Sequence, residues 1–347
     1  MDDDVESSWK LFESDPACFK CVSRRHHRLG SDLNWTEKLI VTTSHSELLG
    51  ALGVRGLIVD DLYSLDNASL SALQPLHALV FLFKWVAGAD EKGGGTGQYD
   101  NDFGGFFMRQ TVNNACATIA VLNGLCNIPG VEMGTDLTQL IEFSSGLDYE
   151  TKGEVFTSSD WLRTAHNSLI PPSAVSLDNL GLPKTSEDAY HFVVYLPQVG
   201  SVYELDGLKR APVNHGAYNE SADVGWAQKA REVIEARIAT YPPGSVHFNL
   251  LAIRSDPLPI IQTQLNEANA KGQSELVRLL EEQMMVEKEK RDRWAFDNSV
   301  RRHNHLGLIY ALLSGMSQTG GLDKAVEGAK ARYKELLEKE ESKRETQ

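Results

Sequence analysis

Residues 110–127 read QTVNNACATIAVLNGLCN, and the apolar run inside this stretch indicates where the core of the protein lies. From Ala115 to Leu125 the chain is rich in alanine and leucine and apolar nearly all round, which is typical of a helix buried on every side. Asn113 or Asn114 can cap such a helix. The stretch therefore predicts a central buried helix with Cys116 in its first turn.

Strands are predicted on both sides of this helix. HALVFLFKWV (77–86) is apolar with poor alternation, as a central strand is, and GLIVDDLYSLD (56–66) predicts a strand and a turn. Residues 136–169 predict two helices, and a proline-containing loop follows them. Three further strands lie in YHFVVYLPQ, SVYELDGL and VHFNLLAIRS, with a hairpin signal at Val199-Gly200. We expect an α+β fold.

Composition and charge exclude several kinds of protein. The formal charge of −14 argues against direct nucleic-acid binding, and the acidic start MDDDVESSWK is not a secretory signal. The longest apolar stretch, Ala78 to Phe83, is far shorter than the ~20 residues of a membrane helix, so no membrane partner is expected. Four cysteines in 347 residues do not make a disulfide framework. We expect a protein of a reducing compartment, cytoplasmic and nuclear.

Cys116 and Gln110 are candidates for nucleophilic chemistry. A thiol is a poor nucleophile until it ionises, and the amide dipoles of a helix N-terminus would stabilise a thiolate at Cys116. The alternative is a small buried hydrophobic residue. Gln110 lies on the approach to the helix, where its amide could donate to a developing oxyanion, although a loop glutamine is usually just solvated.

His191 and Asp206 are the candidate base and its orienting carboxylate. His191 begins an apolar strand, and Asp206 lies fifteen residues later, after the hairpin. Antiparallel return of the chain can bring the carboxylate beside the imidazole, where it would fix the tautomer and stabilise the cation. A hydrogen-bonded edge histidine and a turn aspartate are the plain alternatives.

The other cysteines and histidines are weaker candidates for a catalytic or metal site. Cys126 is expected to pack in the core. Cys18 and Cys21 lack a second Cys-x-x-Cys, so a zinc site has little support, and His303 and His305 cannot share one helix face. No metal or cofactor is expected.

Taken together, these residues resemble the ubiquitin C-terminal hydrolases of the papain-like cysteine-protease group. The resemblance implies a central antiparallel sheet wrapped by helices and a deubiquitinating thiol hydrolase that cleaves after the C-terminal glycine of ubiquitin. It implies Cys116 as nucleophile, His191 as general base and acid, Asp206 as orienting carboxylate and Gln110 as oxyanion donor. The stretches that carry it are QTVNNACATIAVLN (110–123), AYHFVVYLPQVGSVYELDGLKRAP (189–212), WKLFESDP, GLIVDDLYSLD and HALVFLFKW.

The C-terminal part differs in composition from the rest. We expect a catalytic domain over residues 1–256 and a helical extension over 257–347, with Leu276, Leu279, Leu280 and Met284 on one apolar stripe. VRRHNHLGLIYALL and LDKAVEGAKARYKE are similar to the extension of the long, proteasome-associated family members. That similarity implies binding to the ubiquitin-receptor subunit of the proteasome regulatory particle, and some relatives also join a chromatin-remodelling complex.

One segment departs from the family pattern. Residues 20–45 stand between ESDPACF and SELLGALGV, which the family joins directly. This insert would split the first helix, and the sequence leaves open whether it is a true loop or a retained intron. Two other functions also remain open at this level: a catalytically silent ubiquitin-binding scaffold of the proteasome, and an unrelated peptide protease.

Overall fold

The computed structural model describes residues 8–10, 45–84, 97–170, 190–241, 248–303 and 306–344. The described residues up to Arg301 form one compact unit, and those from Arg302 onward belong to a second. The helices of the first unit are α1 (45–51), α2 (Asn67–Ala72), α3 (Cys116–Leu125), α4 (Thr135–Phe143), α5 (Tyr149–Thr157), α6 (Asp160–Ser168), α7 (Trp226–Ile238), α8 (Pro257–Ala270) and α9 (Ser274–Arg302). Its strands are β1 (Leu57–Asp61), β2 (Leu76–Lys84), β3 (Gln98–Tyr99), β4 (Tyr190–Gln198), β5 (Ser201–Leu205), β6 (Val213–Ala217) and β7 (Phe248–Ser255).

The strands form one antiparallel sheet in the order β1-β7-β2-β4-β5-β6-β3. Successive side chains of a strand point to opposite faces, and β2 shows this alternation in its packing. Val80 and Leu82 join the apolar cluster that contains α3, whereas Leu79, Phe81 and Phe83 join the cluster that contains α7. The sheet is therefore covered by helices on both faces, and the predicted α+β fold is confirmed.

The buried helix α3 is confirmed, but its predicted cap is wrong. Every residue from Ala117 to Leu125 is buried, whereas Ala115 at the N-cap makes no side-chain capping hydrogen bond. Asn114 adopts a φ of 67° and its Nδ2 donates to the Trp9 carbonyl at 3.2 Å. Its Nδ2 holds residues 8–10 against the domain, and Ala115, which has no polar side chain, occupies the N-cap position.

The hairpin between β4 and β5 is confirmed. Gln198 pairs with Ser201, and the two residues between them, Val199 and Gly200, have φ values of 45° and 73°. Positive φ at both positions matches the twist of a two-residue hairpin loop. The register that follows carries the end of β5 back toward the start of β4.

Several elements differ from the sequence predictions. Residues 135–168 form three helices where two were predicted, because Asp148 and Ser159 each cap a new one. Strands β3 and β6 and helix α7 were not predicted from the sequence. Helix α7 buries Trp226, Ala227, Ala230, Val233 and Ile234 on one face, which is an ordinary amphipathic pattern.

Helices α8 and α9 lie in the same compact unit as the sheet. Asp60 on β1 accepts from Arg254 Nε on β7 and from Lys290 Nζ on α9, both at 2.6 Å. The residues of the predicted apolar stripe all lie on α9, where Leu280 is buried and Leu276 and Leu279 are exposed. The domain boundary after Asp256 stays a prediction.

The second unit contains α10 (Leu306–Gln318) and α11 (Gly321–Arg344), which pack against each other. Its apolar side chains are largely exposed, among them Leu308, Ile309, Tyr310, Leu312 and Leu313. Within the described ranges no helix is both long and apolar enough to cross a membrane. Most of the insert (20–44) and of the long loop (171–189) lies outside the described residues.

Candidate active site

Cys116 is the first residue of α3 and its half-buried side chain packs against the core. Burial raises the pKa of Cys116 to about 11, while hydrogen bonds from the backbone N–H groups of Cys116 and Ala117 act in the opposite direction. The two amides favour the thiolate, as predicted for a helix N-terminus, but in this conformation desolvation outweighs their effect on the pKa. The thiol needs a base to ionise.

His191 and Asp206 form the expected pair. His191 Nε2 donates to Asp206 Oδ1 at 2.6 Å, and both side chains are buried, with exposed fractions of 4% and 2%. Burial alone would raise the pKa of Asp206, but the charge and hydrogen bond of His191 bring it below its ordinary value. Because the carboxylate occupies Nε2–H, the neutral ring carries its lone pair on Nδ1, as a base for a thiol requires.

The turn that carries Asp206 also contacts the loop of Gln110. Gln110 N donates to the Gly207 carbonyl at 2.8 Å, and its side-chain Nε2 donates to the Val112 carbonyl at 3.0 Å. A methyl group on Gly207 would lie 3.0 Å from Ile119 Cγ2, on the turn of α3 after Cys116. The four predicted site residues therefore lie on four segments. The Gln110 loop and α3 both approach Gly207, and His191 at the start of β4 is joined to this turn through Asp206. Their catalytic roles stay predictions.

Two asparagines that the sequence analysis passed over fasten the Gln110 loop to α3. Asn123 Oδ1 accepts from Met108 N at 2.9 Å and its Nδ2 donates to Met108 O at 3.1 Å, while Asn127 makes the same pair of bonds to Phe106, each at 2.7 Å. Asn123 lies on α3 and Asn127 lies two residues beyond its end, and each amide bonds both groups of one loop residue, as a neighbouring strand does. Asparagine at four-residue spacing in an apolar helix was the available signal.

Helix α5 holds the same loop from the other side. Arg109 N donates to the Tyr149 carbonyl at 2.9 Å, and Thr111 Oγ1 lies 2.8 Å from Thr157 Oγ1. A methyl group on Gly153 would lie only 2.0 Å from the Arg109 carbonyl oxygen, so glycine is required for this approach. The peptide preceding Gln110 is thereby pressed between two helices.

Residues 8–10 complete this side of the site. Trp9 Nε1 donates to the Thr157 carbonyl at 3.2 Å, and His166 Nε2 donates to the Lys10 carbonyl at 2.8 Å. The other ring nitrogen of His166 lies 2.7 Å from the hydroxyl of Thr118, two residues after Cys116. The N-terminal segment is therefore tied to the first turn of α3 through buried hydrogen bonds.

Comparisons with known proteins agree with this arrangement. The family described as "Ubiquitin carboxyl-terminal hydrolase, family 1" matches residues 42–239, and "Ubiquitin carboxyl-terminal hydrolases" matches residues 277–322. Ubiquitin carboxyl-terminal hydrolase 2 of Schizosaccharomyces pombe is 36% identical over 307 residues, covering 87% of this chain and 98% of the relative. Ubiquitin carboxyl-terminal hydrolase ubh-4 of Caenorhabditis elegans is 34% identical and covers 94% of each chain.

A solved structure is similar as well. The crystal structure of Trichinella spiralis UCH37 bound to ubiquitin vinyl methyl ester has a TM-score of 0.59 and 30% sequence identity, covering 73% of this chain and 96% of that one. These matches confirm the resemblance and exclude an unrelated peptide protease. The chain belongs to the ubiquitin C-terminal hydrolase family and is a cysteine-type deubiquitinase.

Proposed function

We propose that this enzyme hydrolyses the bond after the C-terminal glycine of ubiquitin with Cys116 as nucleophile, His191 as base and acid, Asp206 as orienting carboxylate and Gln110 as oxyanion donor. The observation that carries the proposal is the buried bond of 2.6 Å between His191 and Asp206. It lies on the turn that contacts both the Gln110 loop and the helix of Cys116.

The chemistry proceeds through a thioester. His191 takes the proton of the Cys116 thiol as sulfur attacks the carbonyl carbon of the terminal glycine, and the side-chain N–H of Gln110 donates to the oxyanion. His191 then returns the proton to the leaving amine, and the C–N bond breaks. Water, deprotonated by His191, hydrolyses the thioester and releases the ubiquitin carboxylate. The proposal needs no metal or cofactor.

The assignment of ubiquitin as the substrate rests on similarity to a relative of known structure. The Trichinella relative was crystallised with a ubiquitin vinyl methyl ester, in which an electrophile replaces the end of ubiquitin. At 30% identity, we infer that this chain recognises the same protein. The thioester mechanism and ubiquitin recognition are tested together by the hydrolysis of a ubiquitin C-terminal amide.

Steady-state hydrolysis of that amide by variants tests the assigned roles. Cys116→Ser should lower kcat by roughly 10⁴-fold or more while ubiquitin still binds, because serine at its ordinary pKa is not activated here. Asp206→Asn should lose less than His191→Ala. Cys126→Ser is the matched control, since its sulfur lies at the other end of α3. Full activity of Cys116→Ser together with loss in Cys126→Ser would contradict the assignment.

We further propose that the extension docks the enzyme on the ubiquitin-receptor subunit of the proteasome regulatory particle, for ubiquitin-dependent catabolism in cytoplasm and nucleus. The family match over residues 277–322 supports this, as does the apolar surface of α10, on which Tyr310 is 76% exposed. Monomeric proteins rarely leave such a surface uncovered. Membership of a chromatin-remodelling complex is proposed on the same resemblance.

A further inference from the structure

A second buried carboxylate lies two residues before Asp206. Glu204 on β5 is 1% exposed and accepts from three side chains. Lys209 Nζ bonds its Oε1 at 2.5 Å, Arg237 Nη1 bonds the same oxygen at 3.1 Å, and His215 Nε2 bonds its Oε2 at 3.0 Å. An assembly of charges this deeply buried is costly to desolvate, so its position beside the candidate active site requires an explanation.

One arm of this network reaches the turn that carries Asp206. Lys209 spans the turn, with its backbone N–H donating to the Asp206 carbonyl at 2.9 Å and its ammonium bound to Glu204. Within the turn, Leu208 N donates to Asp206 Oδ1 at 2.9 Å. Glu204 therefore anchors both ends of the turn, one through the chain of β5 and the other through Lys209.

The other arm reaches the ring of His191. The guanidinium of Arg237 on α7 lies 4.4 Å from the centre of the Phe83 ring, and its Nη1 also donates to Tyr195 Oη at 3.1 Å. Phe83 pairs with His191 across β2 and β4, and the two rings meet edge to face at 5.8 Å. The guanidinium lies over the Phe83 ring, and that ring in turn contacts the imidazole.

The charges of the network balance. Two carboxylates, Glu204 and Asp206, face two cations, Lys209 and Arg237. Burial would raise the pKa of Glu204, but Arg237, His215 and Lys209 hold it well below its ordinary value, so it stays ionised. Without the Glu204 charge, the buried Arg237 and the partly buried Lys209 would face one remaining carboxylate, Asp206, which is bonded to His191.

We propose that Glu204 is a positioning residue for the reaction, which through Lys209 fixes the turn of Asp206 and through Arg237 and Phe83 fixes the plane of His191. The inference rests on the proposed catalytic roles of His191 and Asp206. Misplacement of a catalytic group by about 1 Å can cost 10²-fold in rate. Glu204 touches neither substrate nor thiol, so its effect should fall on kcat and leave KM unchanged.

The test measures kcat and KM of the full chain on ubiquitin bearing a C-terminal aminocoumarin. Glu204→Gln keeps the side-chain shape and should lower kcat by about 10²-fold with KM unchanged, and Lys209→Met, which removes only one arm, by about tenfold. In an Asp206→Asn background, Glu204→Gln should cost less than about threefold more, because both act through one pair.

The matched control is Asp60→Asn. Asp60 is another buried carboxylate of the same compact unit, bound to Arg254 and Lys290. Its loss should change kcat by no more than about twofold. An equal loss of kcat in Asp60→Asn, or unchanged kcat in both Glu204→Gln and Lys209→Met while Asp206→Asn is impaired, would overturn the inference. Should Glu204→Gln fail to fold, Lys209→Met decides by the same criteria, and full activity of Asp206→Asn would instead refute the proposed function.

Discussion

The two compact units of this enzyme differ in how much of their apolar surface is buried. The unit that contains the sheet buries its apolar residues in two layers and pairs its buried carboxylates, Asp60, Glu204 and Asp206, with cations or histidine. In the described part of the second unit, α10 exposes Leu308, Ile309, Tyr310, Leu312 and Leu313.

This difference matches the different structural needs of a catalytic site and of a docking surface. A catalytic site needs side chains held within fractions of an ångström, and the first unit achieves this by close packing around Gly153, Gly207 and Asn123. A docking surface needs apolar area that folding leaves uncovered, and α10 exposes apolar area of this kind. Variants that loosen the packing of one unit or cover the surface of the other should affect different functions.

The largest effect should come from the close approach of α5 to the Gln110 loop. In Gly153→Ala the new methyl group would lie 2.0 Å from the Arg109 carbonyl oxygen, so the loop must shift. We expect kcat to fall by about 10²-fold and the free energy of unfolding by about 1–3 kcal/mol. Gly50→Ala is the control, because a methyl group there meets nothing within 4 Å and replaces glycine in a helix.

Gly50→Ala should raise stability by up to about 1 kcal/mol and leave kcat unchanged. Denaturant unfolding and ubiquitin–amide hydrolysis check both variants. Full activity of Gly153→Ala would show that the position of the loop does not matter for turnover.

A second prediction concerns the exposed face of α10. Tyr310→Ser with Leu313→Ser should weaken proteasome association by more than about tenfold, since a few exposed aromatic and aliphatic anchors carry most of a binding energy. Hydrolysis of a small ubiquitin ester should be unchanged. Co-purification with proteasomes and ester hydrolysis measure the two effects, and retained association would remove the docking proposal.

A truncation that tests the same point should end at residue 301. A cut after Asp256 would remove α8 and α9, and with them Lys290, a partner of Asp60, and Arg291, whose Nη2 bonds Asp256 at 2.5 Å. Loss of activity after that shorter cut would report on the stability of the sheet unit. The 1–301 chain should hydrolyse the small ester and fail to co-purify with proteasomes.

The last prediction concerns the pH dependence of stability, where the change in slope with pH should be small. The pKa of Glu204 is held well below its ordinary value of 4.5, mainly by Arg237 against the cost of burial. Its contribution to stability is therefore complete above that ordinary value and is lost as the pH falls through the folded-state pKa. Glu204→Gln should lower stability by about 3 kcal/mol at pH 7 and show a shallower loss below about pH 4.5 in urea unfolding. An acid limb identical to that of the parent chain would contradict this.

More of the catalytic site could be predicted from the sequence than of the contacts that hold its residues in place. The His191–Asp206 contact could be predicted because alternating strands and the Val199-Gly200 turn determine the register of a hairpin. The raised pKa of Cys116 could not, because desolvation depends on side chains distant in the chain. The partners of Asn123 and Glu204 were equally hidden, since a buried polar residue in the sequence does not name the group that it binds.

Helix α7 was missed although its apolar spacing was readable, and with it Arg237. The exposed residues on α9 show the converse case, in which apolar spacing is present but the residues are not buried. Leu276 and Leu279 follow helical spacing, yet the helix is held on the sheet unit in part by ion pairs of Lys290 and Arg291. Periodicity predicts which residues share a helix face but not which face is covered.

The central claim, that Cys116 is a nucleophile activated by the buried His191–Asp206 pair, is tested most directly with a ubiquitin whose C-terminus carries an electrophile. The probe is mixed with the full chain, and mass spectrometry of the digested adduct locates the modified sulfur. We predict a single adduct at Cys116 that is absent from Cys116→Ala, strongly slowed in His191→Ala and unaffected in Cys126→Ala. An adduct at Cys126, or labelling that persists in Cys116→Ala, would contradict the claim.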